Sequence, residues 1–268
     1  YNVWFRHVWF LVSPFSSSII LICSEGFANI NIYTFIVYQL PVFFFMVALG
    51  LLMMRHIPHN EKKADDSSGE IVCIAPIIIP IVLSLILSIF IGLESITSLI
   101  VALPVGIVSI FLIEKRKIDE SLSIILRSLS WKMPLAVIGI MIFRATIISS
   151  GVIEVVRDFI TSYSVPPMIV ITTVPFILSF LMGHNLGSIA LAYPLAEPLF
   201  PLMGYNKIAL TSILYVSSFT SYLFSPLHLC VVVTNEYLKP NTTVFYRIIV
   251  PYSIVLIPFN ILVLSLVR

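Results

Sequence analysis

Apolar runs of about twenty residues recur along this chain, each long enough to cross a hydrocarbon core of about 30 Å as a helix. Little is left over to face water: 59% of the 268 residues are hydrophobic and 10% are charged. The mean hydropathy is +1.08. A soluble domain of this size would lack the polar side chains to cover its surface. The pattern predicts an all-α fold, a polytopic transmembrane helical bundle whose first partner is the lipid bilayer. The net charge of +2 comes from bases scattered through the loops, with no basic patch of the kind that nucleic acid requires. Cys23, Cys73 and Cys230 stand far apart in apolar segments. That spacing supports neither a disulfide framework nor a metal set, and no cofactor is expected. Tyr1 opens the chain with no signal peptide ahead of the first apolar run, which reads as a fragment or a processed chain.

Spans are expected near 8–26, 31–54, 72–92, 94–114 and 131–149, followed by a discontinuous region over 167–203, a long apolar segment over 206–238 and a final span over 243–266. Residues 1–54 then form an opening part and 55–70 the hydrophilic loop RHIPHNEKKADDSSGE. Residues 71–166 form a set of scaffold helices and 167–268 a transport part. Within Glu114–Lys132 the bases Lys115, Arg116, Lys117, Arg127 and Lys132 accompany Ile118, Leu122, Ile125 and Leu129 at helical spacing. This predicts an amphipathic helix over 115–130 on the membrane surface. The excess of Lys and Arg in these two loops places both in the cytoplasm, and the base-free turn Ile91–Glu94 outside. Val152–Ser164 reads as a short amphipathic piece on the outer side.

The segment FLMGHNLGSIALAYPLAEPLF, Phe180–Phe200, puts polar residues where lipid would forbid them. Pro167–Met182 gives roughly 24 Å of helix at 1.5 Å per residue, short for a crossing. A second arm of similar length runs from Gly187 to about Leu202. Two short arms around a Gly-rich tip predict a re-entrant hairpin, whose irregular backbone survives at membrane depth only when buried in protein or lining a wet cavity. The alternative is an aqueous loop between two short spans. In the hairpin reading Gly183 and Gly187 turn the chain and admit a ligand to the backbone, Asn185 and Ser188 supply side-chain oxygens, and His184 donates to an anion or carries a proton. Glu197, between Pro194 and Pro198, is either an intramembrane carboxylate for a proton or ion, or an interfacial residue.

The segment 206–238 is too long for one straight crossing and is interrupted at Ser225-Pro226. Proline removes a backbone donor and breaks the turn before it. Thr220, Ser221, Ser225 and His228 gather there, the expected second half of a site in which a broken helix faces a hairpin tip. A plain proline kink is the alternative. Trp4–Phe15 and Val244–Phe259 share an aromatic-Arg pair at the start of a span, a faint internal echo.

The stretches NVWFRHVW (Asn2–Trp9), FLMGHNLGSIALAYPL (Phe180–Leu195) and SPLHLCVVVTNEY (Ser225–Tyr237) resemble a prokaryotic integral membrane family, domain-of-unknown-function family 401. That family is similar to the gluconate, dicarboxylate and arsenite permeases of the ion transporter superfamily. The resemblance implies an inverted-repeat fold with opposed re-entrant hairpins and broken helices, of which this chain would be the C-terminal portion. It implies a multi-pass protein of the plasma membrane, solute and coupling ion bound between hairpin tips, and a homodimer. The function expected is secondary active transport of a small anion, a carboxylate or an oxyanion, coupled to Na⁺ or H⁺. A cation/proton antiporter and a non-transporting assembly subunit are the rival readings. No nucleophile elbow, His-rich metal set or paired-carboxylate motif points to an enzyme.

Overall fold

The computed structural model describes residues 2–54, 75–113, 123, 132–238 and 241–266. The loop 55–70 lies outside the described residues, as does the surface helix expected over 115–130, apart from Ser123. The described chain is helical: α1 Asn2–Val8, α2 Ser17–Cys23, α3 Ile32–Met54, α4 Ala75–Phe90, α5 Ser95–Ile113, α6 Lys132–Ser149, α7 Val152–Ser162, α8 Pro167–Met182, α9 Asn185–Ala196, α10 Lys207–Phe224, α11 Leu229–Leu238, α12 Thr242–Ile254 and α13 Leu256–Ser265. Short 3₁₀ turns cover Trp9–Leu11 and Glu197–Leu202. This is an all-α membrane bundle. Ile32–Met54, the broken segment Lys207–Leu238 and Thr242–Ser265 are each long and apolar enough to cross a bilayer.

The chain divides into two compact units, residues 58–137 and residues 1–57 with 138–268. In the smaller, α4 and α5 pack as the expected hairpin, turned at Gly92, whose φ of +73° suits glycine. The larger unit is built around α10. The Lys207–Leu238 segment is 67% buried, against 28% for Ile32–Met54 and for Thr242–Ser265, so α10 is the core and the other two carry lipid-facing surface. Helices α1, α3, α8, α9, α12 and α13 surround it. Its sequence explains the position: Thr211, Ser212, Ser217, Ser218, Thr220 and Ser221 are small and let neighbouring backbones approach.

Hydroxyls and amides supply the cross-links. The Gln39 amide on α3 donates to Ser212 Oγ at 3.1 Å, and the Asn260 amide on α13 donates to the same atom at 3.4 Å. All three side chains are buried. Ser212→Ala leaves both amides without that acceptor. It should cost about 1–2 kcal/mol, the upper part of the range for interhelical hydrogen bonds in membranes, read as a lower melting temperature in detergent.

The expected span 8–26 is not one helix. Pro14 has no N–H, Ser13 N–H bonds back to the Trp9 carbonyl, and α2 restarts after Ser16. This break matches the one after α10: Leu11-Val12-Ser13-Pro14-Phe15 corresponds to Leu223-Phe224-Ser225-Pro226-Leu227. A short helix follows each, then a long one opened by an asparagine cap. Asn31 Oδ1 accepts from the Tyr33 and Thr34 N–H groups, and Asn241 Oδ1 from those of Thr243 and Val244. Ten residues on from each cap stand Pro41 and Pro251. The two broken segments pack antiparallel. Tyr215 Oη donates to the Phe10 carbonyl at 2.7 Å, while His7 lies against Tyr222 and His228, so the chain ascends on one side of the contact and descends on the other. Of the two echoing stretches, Trp4–Phe15 lies in a broken helix and Val244–Phe259 in the long α12–α13 segment. That last segment bends at Val255, where Pro258 has no N–H for the Ile254 carbonyl.

Candidate functional site

Helices α8 and α9 form the hairpin anticipated over 167–203, with a shorter tip. Only Gly183 and His184 leave the helical path, and Asn185, Gly187 and Ser188 belong to the first turn of α9. Gly183 closes α8 in the left-handed region (φ 60°, ψ 20°), its N–H bonded to the Ser179 carbonyl. His184 caps α9. Its Nδ1 accepts the Gly187 N–H at 3.2 Å, which puts the ring proton on Nε2, and the ring is exposed. Its carbonyl takes the Ser188 N–H, leaving the N–H groups of Asn185 and Leu186 as the available donors of that turn.

The tip sits in the break between α10 and α11. A Cβ on Gly183 would lie 2.6 Å from the Leu227 carbonyl oxygen and 2.7 Å from the His228 nitrogen, so only glycine allows this approach. Gly187 differs: a Cβ there would press only on the flexible end of Met182. Helices α8 and α10 run parallel. Ser221 Oγ donates to the Phe176 carbonyl at 2.7 Å and Ser225 Oγ to the Phe180 carbonyl at 2.6 Å, one turn further along both helices. Ser225 Oγ also accepts the Leu227 N–H at 3.2 Å, which shapes the turn that Pro226 forces. Within the hairpin, Ser188 Oγ donates to the Pro175 carbonyl at 2.8 Å.

The expected site residues thus divide in two. Ser188, Ser221 and Ser225 spend their hydroxyls clamping the hairpin to α10 and to itself. Asn185, Thr220 and His228 are buried with polar atoms to spare. Asn185 Oδ1 accepts from Ser218 Oγ at 2.6 Å while its Nδ2 has no partner, and Thr220 Oγ1 has none. Neither ring nitrogen of His228 makes a hydrogen bond of good geometry, although the Tyr222 backbone lies close. The Tyr222 ring stacks on it at 3.8 Å. Glu197 is not a free carboxylate within the hairpin. It accepts from Lys207 Nζ at 3.0 Å and from Tyr193 Oη at 3.1 Å, and it holds the far end of the hairpin to the start of α10.

Sequence reasoning missed three contributors. Ser218 orients Asn185 from one turn before Ser221. His7 reaches His228, with ring centroids 4.8 Å apart. Arg6 lies within electrostatic range of both histidines, as His184 does of His228. The usable signal was the Arg6-His7 pair inside an apolar stretch, together with the Ser-Pro match between residues 13–14 and 225–226.

The resulting constellation brings the N-termini of α9 and α11 together at the tip, each preceded by a histidine, with the C-termini of α8 and α10 alongside. Converging N-termini favour negative charge, and neighbouring C-termini favour positive charge. A cavity of about 460 Å³ lies elsewhere, lined by Val3, Trp4, Met53, Val244, Phe245 and Ile248 among others, and includes none of the expected site residues.

The fold and tip define a helical membrane protein in which a hairpin tip is seated in a helix break. The chain belongs to the family described as Protein of unknown function (DUF401), whose model matches residues 1–267. No curated protein and no solved structure matches it.

Proposed function

We propose that this chain carries out secondary active transport of a small anion, a carboxylate or an oxyanion, coupled to Na⁺ or H⁺, as a multi-pass permease of a prokaryotic plasma membrane. The seating of Gly183 against Leu227 and His228 carries the reading, because it brings two half-helix N-termini to one point inside the bundle. The anion would be met by the N–H groups of Asn185 and Leu186, the Asn185 amide and His184 Nε2. The α8 and α10 C-termini with Thr220 would favour the coupling cation. Alternating access would follow from the hairpin's attachment. Its clamps are single hydroxyl-to-carbonyl bonds, which water can replace as the hairpin slides along α10. Antiport of cations and protons is disfavoured, since Glu197, the carboxylate it would use, is held by Lys207 and Tyr193.

The test is uptake into proteoliposomes by full-length protein. Asn185→Ala should reduce uptake by at least about tenfold, a loss of about 1.4 kcal/mol, with insertion unchanged and a modest drop in melting temperature from the unpaired Ser218 hydroxyl, which Ser218→Ala alone should reproduce without the same loss of uptake. Ser225→Ala should reduce both uptake and thermal stability. Wild-type rates in both variants would refute the reading.

A further inference from the structure

We propose that His7, His228 and Cys230 form a binding site for a borderline-soft divalent metal ion of the Zn²⁺ class, beside the hairpin tip. One ligand atom from each side chain lies within 4.8 Å of the others, across α1, the Ser225–His228 break and the first turn of α11. The sequence hides this set, because His7 is more than two hundred residues from the other two.

The donor chemistry fits. His7 Nδ1 lies 2.6 Å from the Val3 carbonyl, an acceptor only, so Nδ1 carries the proton and Nε2 keeps the lone pair. A backbone carbonyl on one ring nitrogen is the usual outer-shell support of a metal-ligating histidine. His228 is buried, stacked face-on by Tyr222 and meets the His7 ring edge-on, with no good hydrogen bond at either nitrogen. A buried imidazole in that condition is costly unless something takes its lone pair. Cys230 carries a free thiol and is only half-buried, which provides the way in. Zn–N bonds of about 2.0 Å and Zn–S bonds of about 2.3 Å set tetrahedral ligands about 3.5 Å apart. Closing that difference asks the half-buried Cys230 thiol to turn toward the two rings. Three protein ligands leave a fourth position open to water or to a small anion. The nearby Arg6 guanidinium and the N-terminus of α11 oppose a cation, and the thiolate formed when Cys230 loses its proton to the medium offsets them. The ion would fasten α1 to the turn that receives the hairpin tip, and so hold the hairpin seated.

Purified full-length protein in detergent, titrated with Co²⁺, tests this by a readout that transport does not affect. One equivalent should give tetrahedral d–d bands in the visible and a thiolate-to-cobalt charge-transfer band in the near ultraviolet, both displaced by Zn²⁺. Cys230→Ser should abolish the charge-transfer band, Cys23→Ser and Cys73→Ser should leave it, and His7→Gln should weaken binding about tenfold or more. If His7→Gln fails to fold, the conservative Cys230→Ser variant decides. A wild-type spectrum without these bands, or a charge-transfer band that survives Cys230→Ser, overturns the assignment. Lost uptake in the Asn185 variant with an intact cobalt spectrum keeps the two proposals apart.

Discussion

Gly183→Ala is expected to unseat the hairpin, with a far larger loss of stability than a methyl at Gly187. The added carbon would face the Leu227 carbonyl oxygen at 2.6 Å and the His228 nitrogen at 2.7 Å, backbone atoms that cannot turn aside. The φ of 60° adds about 1–2 kcal/mol of strain for a residue with a Cβ. Overpacking adds about 1–3 kcal/mol more. Relief requires the tip to lift from the break, which stretches the 2.6 Å bond from Ser225 Oγ to the Phe180 carbonyl and then the Ser221 clamp one turn below. A loss of about 2–5 kcal/mol should appear in reversible unfolding from mixed micelles, accompanied by near-complete loss of uptake. Gly187→Ala is the control: its methyl meets only the Met182 terminus and lies in a helical turn. Equal losses in the two variants would show that the tip is not seated as described.

The legible part of this fold follows from periodicity and from breakers. Apolar run length located α3, α4, α5, α6 and the crossing over α12–α13. Pro167, Gly183 and Ser225-Pro226 marked the ends of short helices because each removes a donor or admits a left-handed residue. Pro14 carried the same information, but the run around it was apolar enough to pass for one span, so the first broken helix went unread. Its match to Ser225-Pro226 concerns two breaks, whereas the aromatic-Arg echo concerns helix starts. The site was legible as a region and not as a set of roles. Serine at 188, 221 and 225 reads equally as ligand or clamp, and only the partner carbonyls decide. Glu197 reads equally as a membrane carboxylate or an interfacial residue, because its partner Lys207 lies ten residues on, beyond a turn whose geometry no periodicity records. The His7–His228–Cys230 grouping depends on which helices neighbour one another, which a single sequence does not contain.

Gly50→Val should separate α1 from α3 and with it remove the histidine that α1 delivers to the site. Helix α1 has seven residues, too few to persist through its own backbone bonds, so packing holds it. Its anchor is Trp4, fully buried, whose indole N–H donates to the Met46 carbonyl at 2.9 Å. That carbonyl stands one turn before Gly50, and the ring fits because Gly50 offers no side chain: a Cβ there would meet Trp4 Nε1 at 2.8 Å and Phe5 Cζ at 2.9 Å. Lipid is as apolar as the side chains it replaces, so close packing and hydrogen bonding carry such a contact, not transfer from water. A rigid indole with no exposed edge cannot swing away as Met182 can at Gly187. The variant should lose about 2–4 kcal/mol, combining overpacking with a broken buried hydrogen bond. Because Arg6 and His7 follow Trp4 within one turn, the cobalt spectrum and uptake should fall together, although Gly50 touches neither site. A double-mutant cycle isolates the cause. Trp4→Phe costs stability alone, yet in a Gly50→Ala background it should cost about 1 kcal/mol less, since the smaller ring clears the new methyl. Strict additivity would mean that α1 is held by something other than the Trp4–Gly50 contact.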